Sequence, residues 1–131
     1  MSLLLDTHVL LWWLEGSSRL GPVAREAVGS GERSVWVSAA SAWEIAIKAS
    51  LGRLRLSEPV ESCLPREIER SGFQPLAVSI GHALAVSGLP RHHADPFDRM
   101  LVVQARAEGL TFVTSDRIFG DYGIQTLDAW R

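Results

Sequence analysis

Residues 95–116 read DPFDRMLVVQARAEGLTFVTSD, and the order of signals in this stretch decides the fold. Behind Asp95-Pro96, the apolar residues Phe97, Met100, Leu101 and Ala105 recur at helical spacing until Gly109 stops them, which predicts a helix over Pro96 to Glu108. Leu110 to Thr114 is then a short apolar and β-branched run, a strand, and it ends in Ser115-Asp116. A helix that turns on one glycine into a buried strand is half of a βαβ unit.

Toward the N-terminus the same alternation repeats. Gln74 to Val78 is a strand candidate, followed by a short helix from Ile80 to Ser87, and Pro90 breaks the chain before Asp95. A helix is expected after Pro59, to about Ser71. Ser38 can cap a helix whose stripe is Ala39, Ala42, Trp43, Ala46 and Ile47, ended by Gly52; the strand Ser34 to Val37 precedes it. Pro22 opens a helix carrying Val23, Ala24, Ala27 and Val28 that Gly29 and Gly31 stop. The chain begins with the strand Leu3-Leu4-Leu5, ended by Asp6, and a helix from Thr7 to Leu14 that is apolar on nearly every face. A last strand lies around Gln125 to Leu127. Alternating β and α elements predict an α/β fold: one domain over residues 1–131, with about five parallel strands covered by helices on both faces.

Composition narrows the class. With 131 residues, 47% hydrophobic and 21% charged, the chain can bury a real core. The apolar start carries Asp6 and His8 and lacks a basic lead-in and a cleavage site, so no signal peptide is expected. No apolar run reaches a membrane span, and the single Cys63 has no partner, which together predict a soluble protein of a reducing cytosol. A net charge of −2 does not point to a large basic face for gripping nucleic acid, and composition alone is neutral about nucleic acid. Five tryptophans (Trp12, Trp13, Trp36, Trp43, Trp130) exceed what a small core needs, which leaves room for a protein partner, although most of them read better as large core side chains.

The acids carry the chemistry. In a parallel sheet each crossover helix starts at the edge where strands end, and ligands bind at that edge. Asp6 ends the first strand, Asp116 follows the fourth, Asp95 and Asp98 open the helix leading into the fourth, and Glu44 lies in the second turn of the helix after strand two. If strands one and four are neighbours, Asp6 faces Asp116. Two unit charges about 4 Å apart repel by roughly 4 kcal/mol at an effective dielectric near 20, so such a cluster calls for a cation or for protons. An all-oxygen donor set favours Mg²⁺ or Mn²⁺, and the matching chemistry is metal-assisted attack of water on a phosphodiester.

Ordinary structural roles compete for each acid. Asp95 before Pro96 is a good helix cap and Asp98 suits the first turn; Glu44 stands four before Lys48, an i,i+4 pair; Asp6 could cap Thr7 onward and Asp116 could sit in a turn. His92 and His93 could form an acid/base pair but read better as a solvated loop, and His8 and His82 read as packing or capping residues.

The segments Leu4-Leu5-Asp6-Thr7-His8, Ser41-Ala42-Trp43-Glu44-Ile45-Ala46-Ile47-Lys48, Leu89-Pro90, His93 to Leu101 and Thr114-Ser115-Asp116, in this order and spacing, span nearly the whole chain. In these the chain resembles PIN-domain ribonucleases, and within them the toxins of bacterial VapBC-type (type II) toxin–antitoxin pairs. The resemblance implies a Rossmann-like domain whose catalytic and metal-holding acids are Asp6, Glu44, Asp98 and Asp116, with Asp95 as an additional member and Mg²⁺ or Mn²⁺ as cofactor. Thr7 and Ser115 would orient ligands or water, and Lys48, Arg91 and Arg99 would meet RNA phosphates. It further implies cleavage of single-stranded or looped RNA, a cognate antitoxin that obstructs the site, and a homodimer; Trp12 and Trp13 would suit either protein surface. Ala94 departs from relatives that carry a basic residue there.

Other readings predict different residues. A phosphatase of the haloacid-dehalogenase type needs an Asp at position 8, which holds His8; a receiver domain needs an acceptor Asp after strand three, where Val78-Ser79-Ile80 stands. A non-catalytic RNA- or protein-binding module has no use for the full acid set.

Overall fold

The computed structural model describes residues 1–131. Its elements follow the order β1 (Leu3–Leu5), α1 (Thr7–Glu15), α2 (Pro22–Gly29), β2 (Val35–Ser38), α3 (Ala39–Ser50), α4 (Val60–Arg70), β3 (Gln74–Leu76), α5 (Ile80–Ala85), α6 (Pro96–Glu108), β4 (Thr111–Thr114) and β5 (Thr126–Asp128). Short 3-10 turns at Val86–Gly88 and Arg117–Tyr122 complete the connections. The expected elements all form; strand ends move by one or two residues, and the helix expected to run to Ser87 tightens to a 3-10 turn after Ala85.

All strand pairs are parallel and the sheet order is β3-β2-β1-β4-β5. The chain therefore builds one half outward from β1, returns through α6, and lays β4 on the other side of β1. That return puts the switch point between β1 and β4, with Leu5 level with Val113.

The pleat divides the core in two. Leu3, Leu5, Val35, Val37 and Val113 point to one face, where Val9 and Leu10 of α1, Ala24 and Val28 of α2, Ile45 of α3 and Leu64 of α4 cover them. Leu4 and Phe112 point to the other, against Leu101 and Val102 of α6 and Phe119. Since β1 is buried on both faces, it reads as an unbroken Leu-Leu-Leu rather than an alternating pattern. Trp13 belongs to the first core: its ring lies 5.6 Å from Phe73, its indole N–H donates to Ser71 Oγ at 3.0 Å, and a Cβ at Gly29 would meet the ring at 2.8 Å. Trp12 is partly buried against the same core. The partner surface expected from these two tryptophans is thus mostly core packing, and the tryptophans that stand in solvent are Trp43 and Trp130. No helix is long and apolar enough to cross a membrane.

Candidate active site

The carboxyl edge of the sheet gathers the acids because its strands stop there. Asp6 leaves β1 with its N–H bonded to Val113 O at 3.0 Å, which keeps it in strand register with β4. Its side chain is buried, and although it occupies the position before α1, it makes no capping bond. Instead Thr114 Oγ donates to Asp6 Oδ2 at 2.8 Å and accepts the Asp116 N–H at 3.1 Å, so one hydroxyl joins the acids of β1 and β4. Desolvation holds the Asp6 carboxyl above its ordinary range; the Thr114 bond and the charge of His8 oppose this, and Glu44 adds to it.

Glu44 is set by α3. Ser38 caps that helix by accepting the Ala40 N–H at 3.0 Å. One turn later Ser41 accepts a buried 3.0 Å bond from Thr7, which ties the start of α1 to the helix face that carries Glu44. Glu44 is nearly buried and pairs with Lys48 at 2.9 Å. The i,i+4 pair and the place at the acidic edge are both realised.

Asp95 and Asp98 divide their work at the start of α6. Asp95 Oδ1 accepts the N–H groups of Phe97 and Asp98 at 2.8 and 3.1 Å, an N-cap reinforced by Pro96. The Asp98 side chain is left unengaged by the backbone and partly buried. Burial pushes its carboxyl up to about 7, with the charges of Asp95, Asp6 and Glu44 adding to the shift and His93 opposing it. Four acids from two helices and a strand end thus share one electrostatic environment.

Asp116 closes the group from the β4 side. Burial would raise its carboxyl, but the hydrogen bond from His93, the Ile118 N–H at 2.9 Å and the charge of His93 together hold it below the ordinary range. His93 Nε2 lies 2.9 Å from Asp116 Oδ2, its Nδ1 lies 2.9 Å from the Tyr122 hydroxyl, and its ring stacks on Phe119 and Tyr122. The solvated-loop reading of His93 is corrected: it is a brace.

No trio of Asp, Glu, His or Cys side chains already converges at ligating distance. The donor set nonetheless fits Mg²⁺ or Mn²⁺, which keep several waters and need one or two carboxylates rather than a closed cage. Carboxyls of Asp6 and Asp98 raised by burial and by neighbouring acids are groups for which a shared cation relieves repulsion.

The PIN-domain family model matches residues 3–125. Ribonuclease VapC22 of Mycobacterium tuberculosis is 33% identical over 116 residues, 88% of each chain. The chain belongs to the PIN-domain family. A second relative, Ribonuclease VapC16 of the same organism, is 45% identical over 58 residues, 44% of this chain and 41% of that one. The fold also matches VapBC2 of Rickettsia felis, solved with a promoter DNA fragment, at a TM-score of 0.73, with 14% identity and 98% of each chain covered. DNA-bound VapBC of Salmonella typhimurium matches at 0.69, with 19% identity, 100% of this chain and 99% of that one.

Among the sequence-predicted residues of this PIN domain, the charges of Asp95, Asp6 and Glu44 reach Asp98, that of Glu44 also reaches Asp6, and Thr114 connects Asp6 to Asp116. Arg99 is placed elsewhere than expected. Its guanidinium donates to the carbonyls of Val86, Leu89, Pro90 and His93, at 3.0 to 3.3 Å, and so holds the loop before Asp95 rather than presenting a charge outward. Arg91 is exposed, and Lys48 is spent partly on Glu44. The hydroxyl that links the acids belongs to Thr114, not to its neighbour Ser115. The signal that could have found it is register: once β1 and β4 are paired, Thr114 stands level with Asp6.

Proposed function

We propose that this PIN domain is an endoribonuclease toxin of the VapC type, which cuts single-stranded or looped RNA with Mg²⁺ or Mn²⁺ and is inhibited by a cognate antitoxin. The observation that carries the reading is the gathering of Asp6, Glu44, Asp95 and Asp98 at the carboxyl edge, where burial and mutual repulsion carry Asp98 to about 7. The kinship with ribonucleases of the same family supports RNA as the substrate, and the fold shared with toxin–antitoxin complexes supports the antitoxin. A cytosolic homodimer completes the proposal.

Asp6, Glu44, Asp98 and Asp116 would hold the cation, with the second oxygen of Asp95 beside them. When bound, the cation supplies acidified water for attack on the phosphodiester and a counter-charge for the developing phosphorane. The chain's own part is positioning. Thr114 fixes the orientation of the Asp6 carboxylate, His93 that of Asp116, and the Thr7–Ser41 bond sets the helix carrying Glu44. Arg91 and Lys48 would meet phosphates at the rim. A metal-free histidine mechanism finds little support, because both ring nitrogens of His93 are already engaged.

The test is cleavage of defined RNAs by the wild type and Asp6→Asn, with Mn²⁺ or excess EDTA, with the ends mapped. The expected result is metal-dependent cleavage that leaves 5′-phosphate and 3′-hydroxyl ends and is lost in the variant. Full activity in excess EDTA would overturn it. The antitoxin is tested by co-expression with the neighbouring small reading frame, whose product should bind the protein and suppress cleavage.

A further inference from the structure

Tyr122 is a buried tyrosine in the 3-10 turn that follows Asp116, and its hydroxyl bonds to His93 Nδ1 at 2.9 Å. The other ring nitrogen, His93 Nε2, lies 2.9 Å from Asp116 Oδ2, so the tyrosine is the far end of a chain that reaches the acids. Stacking alone does not orient the imidazole in that chain. Phe119 lies against the ring with centroids 4.3 Å apart and planes 26° apart, which fixes the ring plane. Turning the ring over about its Cβ–Cγ bond leaves that stack unchanged but puts carbons where Nε2 and Nδ1 stand. The two hydrogen bonds are what tell these orientations apart, and the Tyr122 hydroxyl supplies one of them. Its bond also holds in either charge state of the ring, since a phenol donates to a bare Nδ1 and accepts from a protonated one. Both residues are tied to α6: Arg99 donates to the His93 carbonyl at 3.3 Å and Arg106 to the Tyr122 carbonyl at 2.7 Å. The helix that presents Asp98 thus sets the backbone of the pair that braces Asp116.

We propose that Tyr122 is a positioning residue: its hydroxyl locks the His93 ring in one orientation and, through it, the direction in which the Asp116 carboxylate faces the cation. Asp116 Oδ1 accepts the Ile118 N–H at 2.9 Å, so a fixed Nε2 on Oδ2 leaves the carboxylate no freedom to rotate. Each oxygen keeps a lone pair, and those two bonds decide where it points. The consequence for cleavage rests on the nuclease reading, whereas the lock itself does not. Phenylalanine at this position keeps the packing against His93 and Phe119 and removes only the lock.

The test compares the wild type, Tyr122→Phe, His93→Gln and the double variant. In EDTA, proton NMR of the wild type should show a Tyr122 hydroxyl protected from exchange and in contact with the His93 ring. Nitrogen NMR should show the His93 Nδ1 line displaced in Tyr122→Phe. Tyr122→Phe should weaken Mn²⁺ binding by about 10-fold, the lower end of the loss typical for outer partners of a metal site, and leave KM for RNA unchanged. In the His93→Gln background the same substitution should cost nothing further, because a residue that acts only through His93 has nothing left to act on. An unprotected wild-type hydroxyl, an unmoved Nδ1 line, unchanged Mn²⁺ affinity, or losses that simply add in the double variant would overturn the proposal. Cleavage with Mg²⁺ is scored separately. A Tyr122-dependent Nδ1 line and Mn²⁺ affinity without any cleavage would keep the lock and sink the nuclease reading; metal-dependent cleavage and Mn²⁺ affinity that Tyr122→Phe leaves untouched would do the reverse.

Discussion

Replacing Asp98 with asparagine should make the metal-free protein more stable while removing its activity, and the size of the gain follows from the site. A carboxyl whose ordinary value is 3.8 and which the fold carries to about 7 is charged at high pH against about 4 kcal/mol of unfavourable surroundings. The side chain is only partly buried, so water screens much of this, and a net cost on the order of 2 kcal/mol remains. The sign is set by proton uptake: between pH 4 and 7 the folded protein holds this proton and the unfolded chain does not, so wild-type stability falls as pH rises through that window. The asparagine variant lacks both the charge and the slope. In EDTA, urea unfolding should show the two proteins alike near pH 4 and Asp98→Asn ahead by about 2 kcal/mol at pH 8, or about 6 °C in Tm for a domain of this size. Saturating Mg²⁺ should reverse the order, because a ligand at 100 times its Kd adds about 2.7 kcal/mol to the protein that binds it. An Asp98→Asn protein less stable than wild type at pH 8 without metal, or one that gains as much from Mg²⁺, would refute the reasoning.

Thr114→Val should cost roughly 1–3 kcal/mol at pH 8, since it strips the donor from a buried carboxylate; the loss should shrink at low pH, where Asp6 takes up a proton, and urea unfolding at both pH values checks this. His93→Gln should lower metal-dependent cleavage about 10- to 100-fold by releasing Asp116, while the cleavage stays sensitive to EDTA. Arg99→Ala should destabilise by about 2 kcal/mol and speed proteolysis in residues 86–94, because four carbonyls lose their donor; steady-state RNA affinity of the surviving folded fraction should not change its salt dependence, as it would if Arg99 met phosphate. Trp13→Ala should lower Tm by several degrees, as expected for a core ring with a part-buried hydrogen bond, whether or not a partner is present.

Local signals sufficed for the elements. The cap Asp95-Pro96 and the stop Gly109 bound α6, Ser38 starts α3, and the Leu3–Leu5 run marks a strand buried on both faces, because capping, periodicity and burial act over a few residues. The parallel alternation also made one sheet edge the natural home of the acids. Pairing is a different kind of fact. That β4 returns to lie against β1 depends on α6 packing across the sheet from residues far along the chain, and only that contact makes Thr114 the link between Asp6 and Asp116. The same holds for His93, which the sequence shows in a polar loop and which tertiary packing stacks on Phe119 and Tyr122. Arg99 turns inward for a similar reason: the loop before Asp95 leaves carbonyls without partners, and the nearest cation satisfies them. Which residues carry charge, and where each helix and strand begins, can be read along the chain; which charges feel one another is settled by packing in three dimensions, because electrostatic coupling depends on distance through space and not on separation in sequence.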